Sequence, residues 1–289
     1  MSASKKRLER TEQNRGVKRR RRRWRDLLLA MTFAACLAGA FVGGWEAKTK
    51  NLESNGTALA ASLSSIGDDT GMGKSLTQET VDVFGGSMAH GWLDPKDDSY
   101  LKRAFTTRSD STDVTYDYVD HTVVGQTPVL LATQKPNQFK DYMQRDKPDV
   151  VVLSWGLLNS MSSRHKTTIT AFGNAIHQEI ADALAVHAVV LIVTPPVTQL
   201  SATTDAQKQE QFLTKLNQEA KSFNSINVVV IDVYHQMADY LTAHDQTYED
   251  YYGNSWHPNE AGHELAGMLL SNDLMERYHY GPIVWKKAR

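Results

Sequence analysis

The chain has 289 residues, 41 % of them hydrophobic and 22 % charged, with eighteen Gly and eight Pro. This is a globular composition, and it excludes collagen-like, coiled-coil and wholly disordered chains. The net charge of −1 conceals an asymmetry: residues 1–26 carry twelve Lys/Arg against three acids, which is +9, so the rest of the chain carries −10. A basic arm is joined to an acidic body whose sign repels phosphate, and no nucleic-acid partner is expected.

The arm (residues 1–26) contains an unbroken basic run, Lys18 to Arg23. Leu27 to Trp45 follows, nineteen residues without a charged side chain. As a helix this stretch would span roughly 28 Å, close to the bilayer's hydrocarbon thickness of about 30 Å. Basic residues on its amino side hold that end in the cytoplasm and put everything after Trp45 outside. The expectation is an uncleaved signal anchor over 27–45, a single-pass span in the cell membrane. A cleaved signal, with Ala38, Gly39 and Ala40 offering small residues for a peptidase, is the second reading. A lipoprotein signal ending at Cys36 is the third, and it is disfavoured by Phe33 and by the apolar sequence past the cysteine. Cys36 is the only cysteine, which excludes an intramolecular disulfide and a Cys-based zinc site. Residues 46–80 are rich in Ser, Thr, Gly, Asn and Asp, with a short helical hint at Leu59 to Ile66, and they read as a flexible tether.

From Val81 the body (81–289) becomes regular. Val81 to Phe84 is a short apolar strand ending in Gly85-Gly86. Val114 to Val124 alternates and is β-branched, a strand with its own turn. Asp149 to Leu153, Ala188 to Val193 and Ile226 to Ile231 are continuous apolar runs, as expected of strands buried on both faces. Helical spacing covers Thr167 to Ala185, Asp205 to Phe223 and Asn259 to Met275. Strands alternating with such helices predict an α/β domain with a mostly parallel sheet covered on both sides. In such a sheet, ligands bind in loops beyond the strands' carboxyl ends.

Four residues fall in those loops. Ser87 follows the first strand in Gly85-Gly86-Ser87, and a serine needs a base to become a nucleophile. His257 precedes the last helix, with Pro258 suited to that helix's first turn. Gly125, after the second strand, offers a backbone N–H. Asn159, after the third, offers a side-chain amide. His263 sits on the last helix, and no HExxH spacing suggests a metal there.

Ser, Gly, Asn and His in this order resemble the SGNH, or GDSL-type, hydrolase family over Val81 to about Leu274. The resemblance implies a flavodoxin-like three-layer α/β/α sandwich that hydrolyses or transfers acyl esters of lipids and carbohydrates. Residue by residue it implies Ser87 as nucleophile and His257 as general base, with Ser87, Gly125 and Asn159 lining an oxyanion hole. It requires no metal and no cofactor. The run HPNEAGHELA is its most specific stretch. The chain departs from the family pattern at three points. Gly86 replaces the first block's Asp; an extra residue separates Gly156 from Asn159; and Asn254 stands where the family places the carboxylate that orients the histidine. The orienting group is therefore Asn254 itself or a carboxylate from the preceding loop, Asp250, Glu249 or Asp245. The expected partner is an acyl ester on cell-envelope carbohydrate, with Trp92, Trp155 and Trp256 beside the site loops to stack on sugar rings. The competing reading is a non-catalytic member that binds surface polymer or an assembly partner.

Overall fold

A computed structural model describes residues 77–162, 164–165 and 167–287. The expected anchor and nearly all of the tether, with Cys36 and the 59–66 segment, lie outside the described residues. Among the described residues no helix is long and apolar enough to cross a membrane.

Five strands form the sheet: β1 (Thr77–Gly85), β2 (Val114–Asp120), β3 (Val150–Ser154), β4 (Val189–Val193) and β5 (Val228–Ile231). They run parallel in the order β2-β1-β3-β4-β5. Every residue of β3 and β4 is buried, which is why the sequence there is Val/Leu/Ile throughout except for Ser154 at the end of β3. β1 begins at Thr77, four residues ahead of the apolar run that marks it in the sequence. Its extra turn of strand pairs with Val114 to Asp117 of β2.

The helices fall into two groups. α1 (Ser87–His90) follows β1 directly, and α2 (Tyr100–Ser111) leads into β2. α3 (Pro128–Gln134), α4 (Gln138–Asp146), α5 (Leu157–Met161), α6 (Ile169–Ala185), α7 (Gln199–Ala202) and α8 (Ala206–Ser222) come next. After β5 come α9 (Val233–Ala243), a 3₁₀ turn (Tyr248–Asp250), a two-stranded ribbon of β6 (Tyr252–Asn254) and β7 (His257–Pro258), and α10 (Glu260–Tyr278). α2, α9 and α10 pack together, while α6 packs on α3, α4 and α8. The sheet between them is the middle of three layers.

β2 and β3 lie on opposite sides of β1, so the chain reverses its direction of travel across the sheet at β1. This order has its switch point between β1 and β3, and the crevice beyond their carboxyl ends is the binding position of such folds. α1 opens at the end of β1 and α5 at the end of β3, so both point into that crevice.

One expectation is corrected. Pro258 does not open the last helix; it lies in β7, paired with Tyr252. The helix is capped by Asn259, whose Oδ1 accepts the Gly262 N–H at 2.9 Å. Asparagine holds this position because its side chain satisfies a donor that the first turn leaves free.

Candidate active site

Ser87 is the first residue of α1 and is buried. At this position its backbone N–H has no acceptor within the helix. Its Oγ lies 2.8 Å from Nε2 of His257, 170 residues further along the chain. The β6–β7 ribbon presents that imidazole. Its turn is anchored by the Leu200 N–H of α7, which donates to the Ser255 carbonyl at 3.1 Å. The ribbon also lies close on α10: a Cβ on Gly262 would fall 2.2 Å from the Tyr251 carbonyl oxygen. Only glycine fits there, which accounts for the Gly in the HPNEAGHELA run.

Asn254 resolves the open choice of orienting group. Its Oδ1 accepts the Trp256 N–H at 2.9 Å, the His257 N–H at 3.0 Å and the His257 ring Nδ1–H at 3.0 Å. Two of those partners are backbone N–H groups, which only donate, so the atom facing them is the amide oxygen. An oxygen facing Nδ1 requires the proton there, and Nε2 is left with a lone pair toward Ser87 Oγ–H. Among the described residues no carboxylate is hydrogen-bonded to His257. Glu249 instead takes the Thr247 hydroxyl, and Asp250 contributes its carbonyl to Asn259 at 3.0 Å. Burial holds the His257 imidazole below the ordinary histidine value of 6.5. The ring is therefore neutral near pH 7, the form a base needs.

Asn159 and the loop that carries Gly125 both reach Gly86. A Cβ built on Gly86 would lie 3.5 Å from Nδ2 of Asn159 and 3.1 Å from the Gln126 carbonyl oxygen. Asn159 therefore faces Gly86, the residue beside Ser87, and Gly125 is one position from a residue that approaches it. Gly125 has φ of +82° in a turn closed by the Gln126 N–H on the Val123 carbonyl at 3.0 Å. That positive φ selects glycine.

Two further residues complete the setting. His263 is wholly buried on α10, accepts the Tyr100 N–H at 3.3 Å and lies parallel to the Tyr100 ring. Burial pushes its pKa down to about 4. His90 at the end of α1 is hydrogen-bonded through Nδ1 to the Thr122 hydroxyl at 2.9 Å, joining the helix that Ser87 opens to the loop that carries Gly125.

The tryptophans differ from expectation. Trp155 is buried, and its indole N–H donates to Glu179 Oε2 at 2.8 Å, so it cannot stack on a ligand. Trp256 is half-buried against the core, and Trp92 is 44 % exposed.

The chain matches the GDSL-like Lipase/Acylhydrolase family over residues 83–265. No curated protein matches the sequence. Among solved structures, the fold is similar to a lipase/acylhydrolase from Enterococcus faecalis, at 18 % identity and a TM-score of 0.53, covering 73 % of this chain and all of that one. A variant of an acetyl xylan esterase from Geobacillus stearothermophilus aligns at 14 % identity and TM-score 0.56, covering 75 % of this chain and all of that one. A two-domain esterase active on acetylated mannans aligns at 16 % identity and TM-score 0.53, covering 72 % of this chain and 52 % of that one. With the match spanning more than half of the sequence and including Ser87, the crevice loops and His257, the chain belongs to the GDSL-like lipase/acylhydrolase family.

Proposed function

We propose that the protein is a serine esterase, tethered outside the cell membrane by residues 27–45, that removes or transfers acyl groups on envelope carbohydrate. The observation that carries the reading is the 2.8 Å contact between Ser87 Oγ and a lone-pair-bearing His257 Nε2. In the acylation step, Ser87 Oγ attacks the ester carbonyl while its proton passes to Nε2. The oxyanion so formed takes the Ser87 N–H, the Gly125 N–H and the Asn159 amide, donors worth about 3 to 4 kcal/mol each when held in place. The C–O bond then breaks, and the Nε2 proton leaves with the alcohol. Water, or a second alcohol in a transfer, repeats the sequence on the acyl-serine and regenerates the free hydroxyl.

A carbohydrate substrate is supported by Trp92, whose exposed indole follows α1 and offers a stacking face, and by the acetyl xylan and acetylated mannan esterases that share the fold. The second reading, a binder that has lost catalysis, rests on Asn254 in place of a carboxylate.

A fluorophosphonate probe applied to cell fractions separates the two. Labelling of the full-length chain in the membrane fraction, lost in Ser87→Ala and in His257→Ala, is the expected outcome. A folded protein that takes up no probe overturns the esterase reading in favour of the binder.

A further inference from the structure

We propose that Asp82, His121 and Asp146 form a binding site for a divalent transition ion of the zinc class, next to the crevice loop and separate from the hydrolytic machinery. Three elements supply the ligands: Asp82 from the middle of β1, His121 from the residue after β2, and Asp146 from the end of α4. His121 Nε2 lies 3.3 Å from Asp82 Oδ2 and 3.5 Å from Asp146 Oδ2, and the three donor atoms are all within 4.8 Å of one another. Metal–ligand bonds of about 2.1 Å put neighbouring ligands of a tetrahedral ion about 3.4 Å apart, so two edges are already at the required length.

The strongest sign of a missing partner is Asp82. It is wholly buried in a strand whose neighbours are valines, and its second oxygen, Oδ1, is buried without a hydrogen bond among the described residues. A buried carboxylate oxygen left bare is costly, and a cation at the cluster would satisfy it. The imidazole packs against Phe84, with ring centres 4.8 Å apart, and against Tyr142, at 4.1 Å. Arg145 grips Asp146 through Nε at 2.6 Å and Nη2 at 2.5 Å. That grip fixes the carboxylate's direction while its charge opposes the ion. One imidazole with two carboxylates favours zinc or manganese over calcium and magnesium, which prefer oxygen alone.

A bound ion would clamp β1 to the start of the loop that leads to Gly125. The His121 N–H already donates to Val83 and the Val123 N–H to Gly85, so this loop is laced to β1 at both points. His235 also faces two acids, Asp232 at 2.7 Å and Glu210 at 3.0 Å, but through different ring nitrogens. A single ion cannot use both, which makes His235 a control.

The untagged full chain, freed of metal with a chelator, is titrated with Zn²⁺ and with Mn²⁺ by calorimetry and thermal melting. One ion per chain and a rise in Tm of about 5 to 10 °C at a hundredfold excess over Kd are expected for at least one of them. His121→Gln and the more exposed Asp146→Asn should abolish both signals, His235→Gln should keep them, and Arg145→Gln should bind tenfold or more tightly. If neither ion binds, or if binding survives in His121→Gln and Asp146→Asn, the proposal falls.

Discussion

Asn254 occupies the most informative position. In a serine protease, changing the orienting Asp to Asn costs about four orders of magnitude in turnover, because the amide there selects the wrong tautomer. Here the backbone N–H groups of Trp256 and His257 fix the amide with its oxygen toward the ring, so the tautomer is the productive one. What is lost is only the negative charge that would stabilise the imidazolium. Asn254→Asp keeps the acceptor and adds that charge. It is expected to raise kcat/KM by about ten- to a hundredfold, roughly 1.4 to 2.7 kcal/mol in the barrier. The pH profile should move with it. In the proposed mechanism His257 acts as a base when neutral, and its lowered pKa puts the expected acid limb of kcat/KM below 6.5. An adjacent carboxylate raises an imidazole's pKa, so in Asn254→Asp that limb shifts to higher pH. An unchanged rate and limb would mean that no imidazolium forms in the rate-limiting step.

At the scale of elements, the segments read correctly from the sequence were those whose burial imposes a period. β3 and β4 and the helices α6, α8 and α10 fall where apolar spacing puts them, because each buries a continuous face. Elements held by particular contacts left no such trace. The β6–β7 ribbon is too short for alternation, and it exists because Asn254 closes a turn on the N–H groups two and three residues ahead, a local bond that asparagine makes readily. The turn residue and the histidine's orienting group are thus one side chain, which sequence alone left as one of four candidates. α2, α3, α4 and α9 were likewise not anticipated. α2 carries the least legible interaction of all. Arg108 is fully buried, and its guanidinium donates to the Leu274 carbonyl at 3.2 Å, to the His279 carbonyl at 2.9 Å, to the Gly281 carbonyl and to the Tyr116 hydroxyl at 2.6 Å. It closes the carboxyl end of α10, where free carbonyls accumulate, and its charge faces buried Glu79. Arg108→Met leaves those acceptors without their donor and removes the cation near Glu79, whose remaining partner is the Ile283 N–H at 3.0 Å. A loss of about 3 to 5 kcal/mol in urea unfolding is expected, with probe labelling at Ser87 retained below the transition. A loss under about 1 kcal/mol would show that water replaces the guanidinium at little cost.

For the whole domain, the order β2-β1-β3-β4-β5 and the convergence of Ser87 and His257 follow from the alternating pattern together with the family motifs. Two buried ionisable groups could not be foreseen, because burial of a particular side chain depends on the packing of both helical layers. They set opposite stability gradients. His263 has its pKa lowered to about 4 against 6.5 unfolded. The unfolded chain binds the extra proton between those values, so stability rises with pH from about 4 to 6.5. Glu179, desolvated on α6 beside Trp155, has its pKa raised to about 8 against 4.5. The folded chain binds the extra proton there, so stability falls with pH from 4.5 to 8. Between 4.5 and 6.5 the two gradients largely cancel; above 6.5 only the fall remains, on the order of 2 kcal/mol by pH 8 at 1.36 kcal/mol per pKa unit. Wild-type urea midpoints should therefore be highest in mildly acidic buffer and drop between pH 6.5 and 8. Glu179→Gln keeps an acceptor for the Trp155 N–H and removes the titration, so its midpoint should stay level across that interval. Equal slopes in wild type and Glu179→Gln would mean that the carboxyl is ionised in the folded protein at neutral pH, with water reaching the Trp155 pocket.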